Sequence, residues 1–285
     1  VYTSNPTDVY PNHYGASELR AALQSMATNG SYFTTTEQGL MNPTTVKTKD
    51  TKNNVTYTTT DKLYALAADG YQSTSIKAGT SGSTILAMSS YWRSGDSFWL
   101  RSPYDPSYGG NKDSALYALL GASVAYDYLT IGNVARPASN LKLSSVLFAS
   151  AAKAASHYTS EAVRISSGKA MTLRLDGTGK DIGTVTYNTT TGDIKAVKSS
   201  TSQPVSLVVQ GKDGTDDWYY SKQIAGPETV NASDIKSVFS LTSDIDLSAC
   251  KIWLEITDTD GLAYAVGAPD TMPIYVKTHD GNLIM

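Results

Sequence analysis

The stretch "KIWLEITDTDGLAYAVG", Lys251 to Gly267, constrains the fold more than any other part of the chain. Ile252, Leu254 and Ile256 alternate with Lys251, Trp253, Glu255 and Thr257. A period of two is the signature of a β-strand with one buried face. Asp260-Gly261 between two such runs predicts a hairpin. The same reading extends upstream through "AVRIS", "AMTLRLDG", "GTVTYNTTTGDIKAV", "PVSLVVQG" and "DWYYSKQI", and downstream to "MPIYVKT". All are short, β-branched or aromatic, and separated by turn residues.

Seven such runs in about 110–120 residues predict an all-β immunoglobulin-like sandwich over residues 156–285. Upstream the pattern changes. In "GASELRAALQSMATNG", Leu19, Ala22, Leu23 and Met26 fall at helical spacing, with Ser17 as N-cap and Asn29-Gly30 as the stop. Residues 42–60 are polar and β-branched and read as a hairpin or a surface excursion. "DKLYALAADGY" reads as a strand entering a turn at Asp69-Gly70, and "FWLRS", "SALYALLG", "SVAYDYLTIG" and "NLKLSSVLF" as further short strands. The alanine and serine run "FASAAKAAS" marks a boundary, giving an α+β domain over 1–155 ahead of the sandwich. With 285 residues in all, two domains are expected.

Composition narrows the function classes. The formal net charge is −3 with no Lys/Arg run, which argues against nucleic acid as a partner. No stretch approaches the ~18 apolar residues of a membrane span. The single cysteine, Cys250, rules out an intramolecular disulfide, which fits the cytosol or a Gram-positive cell surface. The chain begins at Val1, so any leader or wall anchor is expected to have been removed.

The common catalytic signatures are missing. There is no Gly-x-Ser-x-Gly elbow, phosphate loop or dinucleotide fingerprint, and "DGTGKD" (176–181) reads as a turn. His13, His157 and His279 are dispersed and read as surface or boundary residues, with no metal-ligand spacing. Asp216-Asp217, Asp244/Asp246 and Asp258/Asp260 lie in turn sequence, where Asp bonds local backbone, and the full calcium-loop pattern is absent. A carboxylate hydrolase acting on glycan or cell wall remains an alternative. Glu18, Glu37, Asp61, Asp96, Asp105, Asp113 and Asp127 would supply its acids, though their spacing selects no pair. A structural spacer is the third reading.

Pro137 after Arg136 and Ser102-Pro103 after Arg101 predict extended backbone through both segments, which stand among apolar neighbours. Such arginines must reach outward or find acceptors, and Asp61 or Asp96 are the expected partners of Arg101. Trp92 and Trp99 read as core aromatics.

"YGASELRAAL", "DKLYALA", "FWLRSP", "VARPA" and "NLKLSSVLFASAA", in this order, resemble a family of surface domains from Gram-positive gut bacteria. Over roughly residues 10–152 this is similar to the C-type-lectin-like fold shared with formylglycine-generating enzymes. The resemblance implies an N-terminal helix, a small mixed sheet and a loop-rich face, with Trp99, Arg101, Arg136 and Pro137 as scaffold. The calcium-lectin motifs are absent, since Gln203-Pro204-Val205 lies in the other domain and lacks the acid. The cysteines and histidine iron site of the enzymatic branches are absent too. The expectation is a non-catalytic, secreted or cell-surface adhesion protein without cofactor or metal, binding an extracellular glycan or protein ligand. Tyrosine gives large, rigid contact area with a polar tip. Tyr104, Asp105, Tyr108, Asn111, Tyr126 and Tyr128 are therefore the candidate contacts, Tyr104 and Tyr108 foremost.

Overall fold

Ser17 starts the longest helix as expected. Its Oγ accepts a hydrogen bond from the Arg20 amide at 3.1 Å, and α1 runs Glu18–Thr28 to the Asn29 cap. The buried stripe is Leu19, Leu23 and Ala27, while Ala22 faces solvent. A second helix, α2 (Thr35–Leu40), is opened by a capping box in which Thr34 and Glu37 exchange side-chain and backbone bonds. The computed structural model describes residues 8–73, 75–76, 86–87, 97–105, 111–119, 123–150, 152–154, 160–165, 171–213, 216–239, 244–267, 278–279 and 282–283. Among them the chain is mostly β and divides into two units, 1–142 and 143–285.

The first unit is built on four strands in the order 134–135, 98–103, 114–118, 124–128, the first pair parallel and the others antiparallel. Alternation sends Trp99, Ala115 and Tyr117 to one face, where they pack with Tyr14, Leu23, Leu63 and Tyr64. Phe98, Leu100, Leu116, Ala118 and Val124 go to the other, against Leu66, Ile76 and Tyr104. Burial on both faces explains why "FWLRSP" is so apolar. The hairpin expected in 42–60 forms between Thr44–Asp50 and Val55–Asp61. Helix α1 is fastened by polar clamps: Arg20 Nε donates to Asp61 Oδ1 at 2.8 Å, and Gln24 bonds both Leu63 O and the Lys62 amide.

The second unit carries a seven-stranded sheet in the order 146–150, 172–176, 263–267, 251–257, 205–213, 216–224, 160–165. Only the 172–176/263–267 pair is parallel. Three strands, 183–188, 193–198 and 228–230, form a second sheet lying against 251–257, 263–267 and 216–224. The "MPIYVKT" run lies largely outside the described residues. Two expectations change here. The divide falls at Lys142/Leu143, ahead of the 155/156 boundary, because Val146–Ser150 pairs with Thr172–Asp176. The strand Lys251–Thr257 is buried on both faces, since Trp253 and Glu255 are as inaccessible as Ile252 and Leu254.

Gly183 opens the 183–188 strand at φ +136°, and a Cβ there would sit 2.1 Å from Val197 O. Gly183→Ala therefore combines a left-handed backbone with a clash against main chain. It is expected to cost about 1–3 kcal/mol in urea unfolding. Gly179→Ala, with open space around its Cβ, serves as the control and should cost far less.

Candidate recognition face

The strand Val124–Tyr128 alternates Val124 inward with Tyr126 and Tyr128 on the same face, about 7 Å apart along the chain. Val124 is buried, whereas Tyr126 and Tyr128 are 44 % and 55 % exposed. The core on this side of the sheet thus runs out into an aromatic rim. Tyr104 directly follows the Phe98–Pro103 strand and is buried, its ring stacked on Tyr126 at 4.0 Å between centroids and 15° between planes. Tyr71 meets Tyr126 edge-on at 5.3 Å and is 48 % exposed. Tyr71 and Tyr104 lie 6.0 Å apart. Contacts of this kind add about 0.5–1.5 kcal/mol each beyond area burial, so the rings hold one another in place. Desolvation in this packing raises the Tyr104 phenol above its ordinary value, and the neighbouring Tyr126 and Tyr71 hydroxyls raise it further.

Main chain fixes the Tyr71 side of the rim. Gln72 adopts φ 62°, and its amide donates to Val124 O at 2.8 Å while the Val124 amide donates to Ser73 O at 3.0 Å. The turn after Asp69-Gly70 is thereby zipped onto the sheet edge. Asp105, next to Tyr104, is held by Lys49 from the hairpin. Asn111 is exposed and its Oδ1 accepts from the Asp113 amide at 3.2 Å. Of the six candidate contacts, Tyr126 and Tyr128 present open rings, Tyr104 props Tyr126 from below, Asp105 and Asn111 lie on loops, and Tyr108 lies outside the described residues. Tyr71 is the member the sequence reading missed. Its signal was an aromatic directly after an Asp-Gly turn.

The two arginines brace the sheet away from these rings. Arg101 is buried, donating from Nη1 to Ala65 O at 2.7 Å and from Nε to Lys47 O at 3.3 Å, with its guanidinium 5.8 Å from the Tyr64 ring centroid. Asp61, one of the two acids expected beside it, is engaged by Arg20 instead, and Asp96 lies outside the described residues. Arg136 is half-buried and lies 5.2 Å over the Phe98 ring, and Pro137 pairs with Ala65 on an exposed edge. Trp99 is enclosed in the core beside Tyr117, while Trp92 lies outside the described residues.

The other polar groups have local work. Glu37 caps α2, and Asp127 accepts from the Tyr128 amide. Asp246 caps the turn Leu247–Ala249, and Asp244 pairs with Lys236. The Lys180 ammonium and then the Gln203 amide hold the Asp258 carboxyl well below the usual carboxylate range. "DGTGKD" is a single turn of 3-10 helix, Thr178–Lys180. His13 stacks on Tyr57 at 4.1 Å, and its burial lowers the imidazole pKa against the opposing pull of Asp50. His279 lies in a short strand and His157 outside the described residues. The Cys250 thiol is buried and pushed up to about 12, which removes it from thiolate chemistry at neutral pH. Among the described residues, no group of three or more His, Cys, Asp or Glu side chains is placed to hold a metal, and no helix is long and apolar enough to cross a membrane.

Compared with known proteins, the chain matches no family model, no curated relative and no solved structure.

Proposed function

We propose that this chain is a non-catalytic recognition protein of the cell surface or the extracellular space. In this reading a C-type-lectin-like unit presents the tyrosine rim, and an immunoglobulin-like sandwich carries it. The cluster Tyr71, Tyr104, Tyr126 supports the proposal most directly. Two of its rings stay open to solvent although each is locked by a neighbour. Rings immobilised before a ligand arrives lose little further entropy on contact, which is the property that makes tyrosine effective in binding faces. The flanking Asp105–Lys49 pair and Asn111 supply polar groups for orientation, and the ligand class is a glycan or an extracellular protein.

The test is a glycan and matrix-protein array probed with the full chain, followed by affinity measurements on the hits. Tyr126→Ala and Tyr71→Ala are each expected to weaken binding about tenfold or more, as central aromatic truncations do, while the two lost ring contacts lower stability by about 1–3 kcal/mol and leave the chain folded. Tyr32→Ala, an exposed tyrosine outside the cluster, should leave binding intact. If both rim variants bind like the parent, the ligand sits elsewhere and the assignment fails.

A further inference from the structure

Strand edges in the first unit are handled in different ways. The edge at Val124–Tyr128 is engaged at Val124 by the main chain of Gln72 and Ser73. The strand at Val134–Ala135 is only two residues long and is followed at once by the charge of Arg136, after which Pro137–Ala138 pairs with Tyr64–Ala65. Among the described residues, Val55–Asp61 is given no comparable cover or charge. It carries no proline and no lysine, and its one charge, Asp61, has a fully buried side chain engaged by Arg20. The hairpin lysines Lys47 and Lys49 stand on the other strand, which lies against Phe98–Pro103. Among the described residues, Val55–Asp61 pairs only with Thr44–Asp50, and no main-chain group of Thr56–Thr60 bonds outside the hairpin. Val55 is 52 % exposed, and Thr56, Thr58 and Thr60 face solvent.

We infer that this edge is a self-association surface, pairing antiparallel with the same strand of a second copy about a two-fold axis at Thr58. The residues are suited to that partner. Centred on Thr58, the pairing sets Thr56 opposite Thr60 on the solvent face and Tyr57 opposite Thr59 on the inner face. Threonine–threonine and aromatic–β-branched pairs are the favourable cross-strand combinations, and no like charges meet. The register also preserves parity. Groups that point outward from one strand meet their counterparts on the other, and the two buried faces remain on the same side of the joined four-stranded sheet. An isologous contact of this kind closes on itself and does not propagate into fibres. Two short strands bury far less than a standard interface, so the dimer is weak and concentration-dependent.

Sedimentation equilibrium of the full chain from micromolar to about 1 mM is expected to show a monomer–dimer equilibrium, with amides of Thr56–Thr60 gaining hydrogen-exchange protection as the dimer fills. Thr58→Lys places two ammonium groups opposite each other on the axis and should abolish the dimer. Thr58→Val keeps a β-branched pair and should retain it, both variants unfolding at the midpoint of the parent. A chain that stays monomeric throughout, a dimer indifferent to Thr58→Lys, or a dimer without protection at Thr56–Thr60 would each overturn the inference. So would protection that appears only on adding an unrelated extended peptide to a monomeric chain, since the edge would then serve a foreign strand.

Discussion

Arg174→Met is expected to lower the stability of the second unit by about 3–5 kcal/mol, the usual cost of breaking a buried ion pair from one side. The side chains of Arg174 and Glu255 are both fully buried. Arg174 donates from Nε to Glu255 Oε2 at 3.1 Å, from Nη1 to Ser150 O and Thr172 O at 3.2 and 3.1 Å, and from Nη2 to Lys153 O at 2.9 Å. Trp253 Nε1 donates to the same Oε2, and its ring lies 5.4 Å from the guanidinium. Methionine fills comparable volume but satisfies none of these acceptors. It leaves three carbonyls without that donor and a carboxylate without its cation. Lysine should rescue only in part, because a point charge with three donors cannot reproduce the planar fork. The double variant Arg174→Met/Glu255→Leu should cost less than the sum of the single changes, by about 1–3 kcal/mol. Urea unfolding of the full chain measures all four. A loss under about 1 kcal/mol in Arg174→Met would mean that water solvates the pair.

The same pair shows where the sequence stops being informative. Alternation in "KIWLEIT" correctly marks a strand, yet it puts Glu255 and Trp253 on a solvent face. A polar residue facing water and one facing a buried partner look alike in a pattern of period two. The partner that decides the matter, Arg174, lies 81 positions away. Non-local pairing also moved the domain divide. Val146–Ser150 reads as a strand in either unit, and only its ladder with Thr172–Asp176 assigns it to the second.

Short helices failed for a different reason. Thr34 with Glu37, and Asn231 with Asp234 ahead of α3 (Ala232–Val238), spell capping boxes. Helices of six and seven residues, however, are too brief to show apolar periodicity. α1 was legible because cap, stripe and stop agree within one stretch. The rim was half legible. Tyr126 and Tyr128 announce themselves two apart on a strand, whereas Tyr71 reaches them only through a turn whose docking depends on the Val124 main chain. Tyr104, read as a loop contact because proline and glycine surround it, is drawn under Tyr126 by ring stacking that no local pattern encodes.

Arg101→Met is the second large effect expected, and it separates bracing from recognition. Arg101 ties three segments together. Its amide donates to Leu66 O at 2.7 Å, Nη1 to Ala65 O at 2.7 Å and Nε to Lys47 O at 3.3 Å. Its own strand, the Tyr64–Ala65 strand and the hairpin therefore share one buried cation. The backbone bond survives substitution. The two carbonyls lose a charged donor in a site closed to water, at about 1–3 kcal/mol each. A destabilisation of about 3 kcal/mol or more is expected in urea unfolding, with hydrogen exchange rising first in Thr44–Asp50 and Tyr64–Ala65. If Arg101 only braces the fold, the fraction of Arg101→Met that remains folded at low temperature should bind an array-identified ligand with the affinity of the parent, because Arg101 contacts Tyr64, Ala65, Leu66 and Lys47 and not Tyr71, Tyr126 or Tyr128. A variant that unfolds like the parent yet no longer binds would reverse this. Arg101 would then belong to the binding surface, and the tyrosines would be its surroundings.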